Sequence, residues 1–280
     1  MSMTEDPSRT DLIDLPDFVD LVRYRLDDPE SPRYLDLVEN CAQQIKAGGS
    51  CELDGFLTNS GLATMTKEAQ KLEAHAFRSG GLGTVYLDKP DRTAAPDHPR
   101  QYQGEYGVAA VAYDQFPAQS TIRQLYESAS LLMFLGDVLK RGPLFRYADP
   151  LGALNLAVMN HGDQLQWHFD QTDFVVSLAL QDADVGGDFE VVPNIRSIAD
   201  ERYGKVAEVL AGNTRDVITL PMTPGSLLIF EGRNSIHRVT PISGTRSRLV
   251  GLFGYDTREG TMSSETLKMT RYGRLGPSPA

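Results

Sequence analysis

From Ala153 onward the hydrophobic pattern takes a period of two, and this constrains the fold more than any other feature. LNLAVM, DFVVSLALQ, DFEVVP, DVITLP, GSLLIF and RLVGLFGY are short runs rich in Val, Ile, Leu and Phe. Clusters of Gly, Pro, Asn and Asp separate them. Alternation on this scale is the pattern of half-buried strands, and a series of such strands predicts an all-β sandwich or barrel. A polar insert from Ser197 to Ala211 reads as a short helix within the series.

The preceding stretch, from about residue 15 to 148, has mainly helical signals. Ser31 followed by Pro32 reads as an N-cap with proline in the first turn. Tyr34, Leu35, Leu37, Val38, Cys41 and Ile45 continue as an apolar stripe that Gly48-Gly49 ends. A second helix is expected from about Ser60 to Phe77. A third starts after Ser120, with Ile122, Leu125, Tyr126, Ala129, Leu132 and Met133 on one face, and stops at Gly142-Pro143. Residues 78–113 are rich in glycine, proline and charge, and read as loops with short strands that face a substrate. Both chain ends, including the last ten residues RYGRLGPSPA, read as frayed.

The balance of 27 basic against 38 acidic residues leaves a formal charge of -11, the opposite of the basic excess on which nucleic-acid binding is built. No apolar run is long enough to span a membrane. Cys41 and Cys51 are the two cysteines, so neither a disulfide framework nor a CxxC zinc site is expected. The polar, acidic N-terminus lacks a secretory or transit pattern, which predicts a soluble, cytoplasmic protein. A homodimer stays open.

The chemistry is concentrated in the β half. In Gln166-Trp167-His168-Phe169-Asp170, residues two apart on a strand share a face, so His168 and Asp170 project together while Phe169 points away. They form two thirds of a 2-His-1-carboxylate facial triad, and His237, on a later strand, supplies the third ligand. Such a triad holds Fe(II) and leaves coordination positions for a 2-oxo acid and dioxygen. The far carboxylate of that oxo acid needs a cation. Arg246 and Arg248, 9 and 11 residues past His237, are the candidates, because the planar guanidinium fork pairs with a carboxylate through two hydrogen bonds.

WHFD, the GGDFE turn, GSLLIF and HRVTP with SGTRSRLVGLFGYD together resemble the Fe(II)/2-oxoglutarate-dependent oxygenases over about Ala153 to Asp256. ADPLGALN, GDQLQWHFDQTDFVVSLALQ and GGDFEVVPNIRS resemble more narrowly the branch that acts on free amino acids and includes radical halogenases. The resemblance implies a mainly β fold with flanking helices (α+β). Its core would be a double-stranded β-helix, a cupin-like jelly roll, with an N-terminal helical layer. One integrated domain is expected: a flexible N-terminus over 1–14, helices and substrate-side loops over 15–150, the Fe(II)/2-oxoglutarate core over 151–260 and a tail over 261–280. It further implies oxidation of an unactivated C–H bond by dioxygen, with 2-oxoglutarate converted to succinate and CO2. Halogenases of that branch have a small residue in place of the carboxylate ligand, and chloride takes the vacated site. Asp170 fills that site here, which implies hydroxylation, or desaturation or ring closure through the same hydrogen abstraction.

Four further residues are candidates for substrate contact. Asn155 sits on the strand before the HxD motif, His161 in a turn, and His98 and Arg100 in the long loop, where Arg100 would clamp a carboxylate. Asp163, Asp173 and Glu105 would be candidates for holding a cationic substrate side chain. Trp167 alternates away from His168 and reads as packing. A jelly-roll binding protein without catalysis, or a Zn(II) or Mn(II) enzyme on the same scaffold, are the rival readings. The joint presence of the ligand set and an arginine suited to an oxo acid weighs against both.

Overall fold

The computed structural model describes residues 17–277. The expectation for residues 1–14 lies outside that range, as do the last three residues of the tail. Seven helices are present among the described residues: α1 (Leu21–Tyr24), α2 (Pro32–Gly48), α3 (Asn59–Leu72), α4 (Thr121–Glu127), α5 (Ala129–Leu139), α6 (Tyr203–Leu210) and α7 (Glu265–Tyr272). The strands are β1 (Ser50–Leu53), β2 (Phe77–Thr84), β3 (Gln103–Ala112), β4 (Phe145–Arg146), β5 (Leu154–Met159), β6 (Leu165–His168) and β7 (Val175–Gln181). They continue as β8 (Phe189–Val192), β9 (Ile218–Leu220), β10 (Leu227–Phe230), β11 (Ile236–Val239), β12 (Arg248–Phe253) and β13 (Tyr255–Asp256).

A seven-stranded antiparallel sheet in the order β1-β10-β7-β12-β5-β3-β2 faces a four-stranded one, β6-β11-β8-β9. The two sheets make the jelly-roll core. Alternation along each strand divides its side chains between two interiors. On β5, Leu154, Leu156 and Val158 join the large core beneath the helices, whereas Ala157 and Met159 pack between the sheets with Val239 and Ile242. On β12, Leu249 and Phe253 face the helices and Val250 faces the barrel. By the same alternation Asn155 and Arg248 point into the barrel.

The helices match their sequence signals closely where a cap is present. The Ser31 hydroxyl accepts from the Tyr34 N–H at 3.3 Å, Pro32 opens α2, and Gly49 closes it with a φ of 72°. The single helix expected from Ser120 to Gly142 is instead two. Ser128 is extended (φ -59°, ψ 129°) and its hydroxyl accepts from Leu131 N–H, ending α4 and starting α5. A serine that satisfies a backbone N–H from its own side chain competes with helix continuation.

Two further expectations are corrected. Residues 78–113 hold longer strands than expected: around a loop over 85–102, β2 and β3 form a long antiparallel hairpin, register Phe77↔Ala110 to Thr84↔Gln103, that adds to the large sheet through β5. Its glycines hide it from a hydrophobic-period reading. Nor is the end of the chain frayed from residue 271. Arg271 and Tyr272 belong to α7, and Tyr272 is buried with Ala110, Ala112 and Leu151.

Strand β6 carries the irregularity that matters most. His168 pairs with His237 and Leu165 with Val239, so Gln166 and Trp167 together oppose Arg238. This β-bulge lets Leu165 and His168, three residues apart, both face the barrel. Trp167 turns to the outer face, beneath the Arg238 guanidinium at 4.7 Å from its ring centroid.

Candidate metal centre

His168 ends β6, Asp170 lies two residues beyond it, and His237 sits opposite on β11. One ligand atom from each lies within 4.8 Å of the others, the one such group among the described residues. His168 Nε2 is 3.9 Å and His237 Nε2 3.6 Å from Asp170 Oδ1. Each imidazole donates its Nδ1–H to a carbonyl two residues earlier, His168 to Gln166 at 2.8 Å and His237 to Ser235 at 2.9 Å. Those bonds set the tautomer and leave both Nε2 lone pairs facing Asp170, the usual way a protein orients metal-ligating histidines. His237 is further held between Phe189 and Phe230, ring centroids 5.4 and 4.8 Å away.

The electrostatics suit a cation. Burial, then the neighbouring His237, push the His168 imidazole down to about 4, so it is neutral and free to ligate near pH 7. Burial raises the Asp170 carboxyl, but His237 and His168 more than offset this and hold it below the ordinary carboxylate range. Gly232 makes room for that carboxylate: a Cβ there would overlap Asp170, whose N–H donates to the Gly232 carbonyl at 3.1 Å. Two imidazoles and one carboxylate converging this way match the donor set of a facial Fe(II) site. Side-chain exposures of 12% and 19% for His168 and Asp170 against 5% for His237 leave one side of the triad accessible.

The two arginines expected near the oxo acid differ sharply. Arg248 is buried, shares the barrel interior with the triad, and touches Met222 Sδ at 3.8 Å. Burial pulls its guanidinium down to about 10 despite the charges of Asp182 and Asp188. Gly187, in the GGDFE turn, is the seat of its stem, since a Cβ there would come within 2.9 Å of Arg248 Cδ. Arg246 is half exposed, donates to the Ala183 carbonyl and pairs with Asp184.

Of the other candidates, Asn155 is buried in the barrel with no hydrogen-bond partner for its Oδ1. His161 is exposed on its turn. Arg100 donates to the Tyr203 hydroxyl at 2.9 Å and pairs with Asp88, while the His98 ring lies tilted against Tyr203, centroids 4.4 Å apart. Asp163 is buried against Arg78, Asp173 pairs with Arg141 and Arg233, and Glu105 is exposed. Two cavities of about 180 and 330 Å³ lie elsewhere, one against Trp167 and Arg238, the other against Tyr126 and Arg146. Neither includes the triad, which is located by donor chemistry rather than by cavity size. One residue near the ligands escaped the sequence reading: Arg271, whose charge acts on both His168 and Asp170. It lies in the stretch read as a frayed tail, and only packing of α7 reveals it.

The sequence profile of a protein family described as HalD, Halogenase D, matches residues 35–271. The chain belongs to that family. No protein of curated function matches it in sequence. Among solved structures, a 2OG-Fe(II) oxygenase family oxidoreductase from Burkholderia pseudomallei shares 16% identity, with a TM-score of 0.50 over 79% of this chain and 91% of its own. The epimerase SnoN, solved with Fe3+, alpha ketoglutarate and nogalamycin RO, shares 18% over 79% and 84%, TM-score 0.54. A prolyl hydroxylase from Trichoplax adhaerens, in complex with a hypoxia inducible factor peptide fragment, shares 16% over 81% and 95%, TM-score 0.51. At such identities these likenesses establish the fold: that of the Fe(II)/2-oxoglutarate oxygenases. No described helix is long and apolar enough to cross a membrane.

Proposed function

We propose that this member of the Halogenase D family is an Fe(II)/2-oxoglutarate-dependent dioxygenase that hydroxylates an unactivated C–H bond of a free amino acid. The observation that carries the reading is the pairing, in one barrel, of the His168–Asp170–His237 triad with a buried arginine that has no carboxylate within ion-pair distance among the described residues. A buried unpaired charge is strongly unfavourable, so Arg248 is suited to an anionic partner that arrives with the reaction. The far carboxylate of 2-oxoglutarate fits it through two parallel hydrogen bonds.

When bound, Fe(II) supplies the redox chemistry that couples dioxygen and 2-oxoglutarate decarboxylation to C–H oxidation. The chain's own residues bind and orient. His168 and His237 hold the metal through Nε2, with their Nδ1–H groups fixed by backbone carbonyls. Arg248 fixes the direction of 2-oxoglutarate in the barrel, and Arg246, paired at the surface, is the weaker candidate. Asn155 offers an unsatisfied carbonyl oxygen to a donor on the substrate. Misplacement of a target carbon by about 1 Å can cost ~100-fold in rate, which is why such fixed orientation matters. Asp170 decides the outcome. Its carboxylate occupies the position that a halide needs, so the reading is hydroxylation despite the name of the family.

The test is a panel of free amino acids offered with Fe(II), ascorbate, 2-oxoglutarate and air. Succinate formation that needs dioxygen, together with a product one oxygen heavier by mass spectrometry, is the expected result. A product two hydrogens lighter would replace hydroxylation by desaturation or ring closure. Absence of succinate with every amino acid would overturn the reading.

A further inference from the structure

We propose that Arg271 binds the carboxylate of the substrate, so that α7 supplies the acid-reading wall of the site. The proposal rests on the oxygenase reading above and deepens it.

Three observations converge on this residue. Arg271 Nε is buried and has no hydrogen-bond partner among the described residues. Its neighbours along the chain are satisfied: Lys268 pairs with Asp149 at 3.3 Å, and Arg274 grips Asp114 through two hydrogen bonds of 2.9 and 2.7 Å. Several arginines elsewhere have carboxylates, Arg141 with Glu231 and Asp173, Arg233 with Asp173, and Arg196 with Glu201. Arg271, between two paired cations, has none. Its neighbour Tyr272 packs on Ala112, the cross-strand partner of the barrel-facing Asn155, which places α7 beside the barrel.

A guanidinium beside a cation site would be expelled to solvent were the helix free to move. It is not free, because Tyr272 is buried against Ala110, Ala112 and Leu151. A guanidinium with no carboxylate partner favours an anionic group, and a substrate carboxylate is one. The arginine fork suits a carboxylate as it does at Arg248. The loop arginine expected for this task, Arg100, is already engaged by Tyr203 and Asp88.

The experiment uses the protein loaded with manganese(II) and 2-oxoglutarate, which allows binding to be measured by calorimetry without turnover. Each free amino acid of the panel is titrated, and every binder is compared with its own carboxamide. In the unaltered protein the acid should bind about ten- to hundred-fold tighter than the amide, the range for a hydrogen bond to a charged group. In Arg271→Gln the acid and amide should bind alike, Arg271→Lys should fall between, and 2-oxoglutarate should bind as before. The melting temperature of Arg271→Gln should stay close to that of the unaltered protein, since the buried Nε loses no hydrogen bond. An acid-over-amide preference that survives in Arg271→Gln would overturn the proposal and leave the oxygenase reading standing. Weakened 2-oxoglutarate binding in that variant would also overturn it, by making Arg271 a cosubstrate residue. If Arg271→Gln does not fold, full preference retained in Arg271→Lys overturns it. Failure of every amino acid to bind the unaltered protein would overturn the amino-acid reading and this inference together.

Discussion

The outer face of the small sheet and the interior of the barrel treat their polar groups in opposite ways. On the outer face the cations are matched. Arg238 lies over Trp167 and pairs with Glu190 at 2.6 Å, and Arg196 lies 3.9 Å from the Phe169 ring centroid and pairs with Glu201. Toward the barrel, Asn155 Oδ1 has no partner, Arg248 has only a sulfur, and two imidazoles aim bare lone pairs at one carboxylate. Unpaired buried polar groups are costly. A fold that pairs the cations of one face and leaves a buried arginine without a carboxylate on the other has kept the second for something that binds.

This contrast can be broken from its strongest point downward. His237→Ala should abolish stoichiometric iron binding and with it 2-oxoglutarate turnover, while circular dichroism shows the barrel intact, because two protein donors remain. Full metal content in that variant would remove His237 from the centre. Next comes Asp170→Gly, which should lose most hydroxylation. The unaltered protein should give no chlorinated product even in abundant chloride, so any such product by mass spectrometry should come from the variant alone. Hydroxylation at the original rate after this change would mean that Asp170 does not touch the metal.

Arg248→Ala should weaken 2-oxoglutarate by ~2–5 kcal/mol, the range for truncating one partner of a buried charge pair. Arg246→Ala, which breaks an exposed pair, should change it by less than about 1 kcal/mol. A titration of initial rate against 2-oxoglutarate distinguishes them, and the reverse order would exchange their roles. The smallest effect belongs to the outer face: Arg238→Ala should cost ~0.5–2 kcal/mol of stability through its lost contact with Trp167. Its KM for 2-oxoglutarate should not change. A rise in that KM with unchanged stability would show that the outer face also serves the chemistry.

How far the site is legible in the sequence depends on the range of the interactions involved. His168 and Asp170 are two residues apart, and strand alternation alone puts them on one side. His237 and Arg248 were legible as residue types on later strands, once the pattern of strands suggested a barrel. The hairpin β2–β3 was not. Its first strand, FRSGGLGT, has no hydrophobic period, and its place is set from outside by tertiary contacts: Gly104 and Gly107 are positions where a Cβ would overlap Gln166 and Asp163. The break at Ser128 turns on one hydroxyl choosing its own backbone, a choice to which apolar spacing is blind. Arg271 was missed for a third reason. RYGRLGPSPA is a tail by composition, and only the burial of Tyr272 makes its first two residues part of the barrel wall.

The bulge in β6 has a consequence for how such a protein can change. Between Leu165 and His168 it acts as a phase shifter: the residues on its two sides are counted in different frames. Regular pairing of these four residues without the bulge would turn the imidazole outward to where Trp167 now lies, with an indole brought toward the cavity. No ligand need be mutated for the metal to be lost. In this segment the way the strands are paired, as much as the identity of any side chain, makes the metal centre.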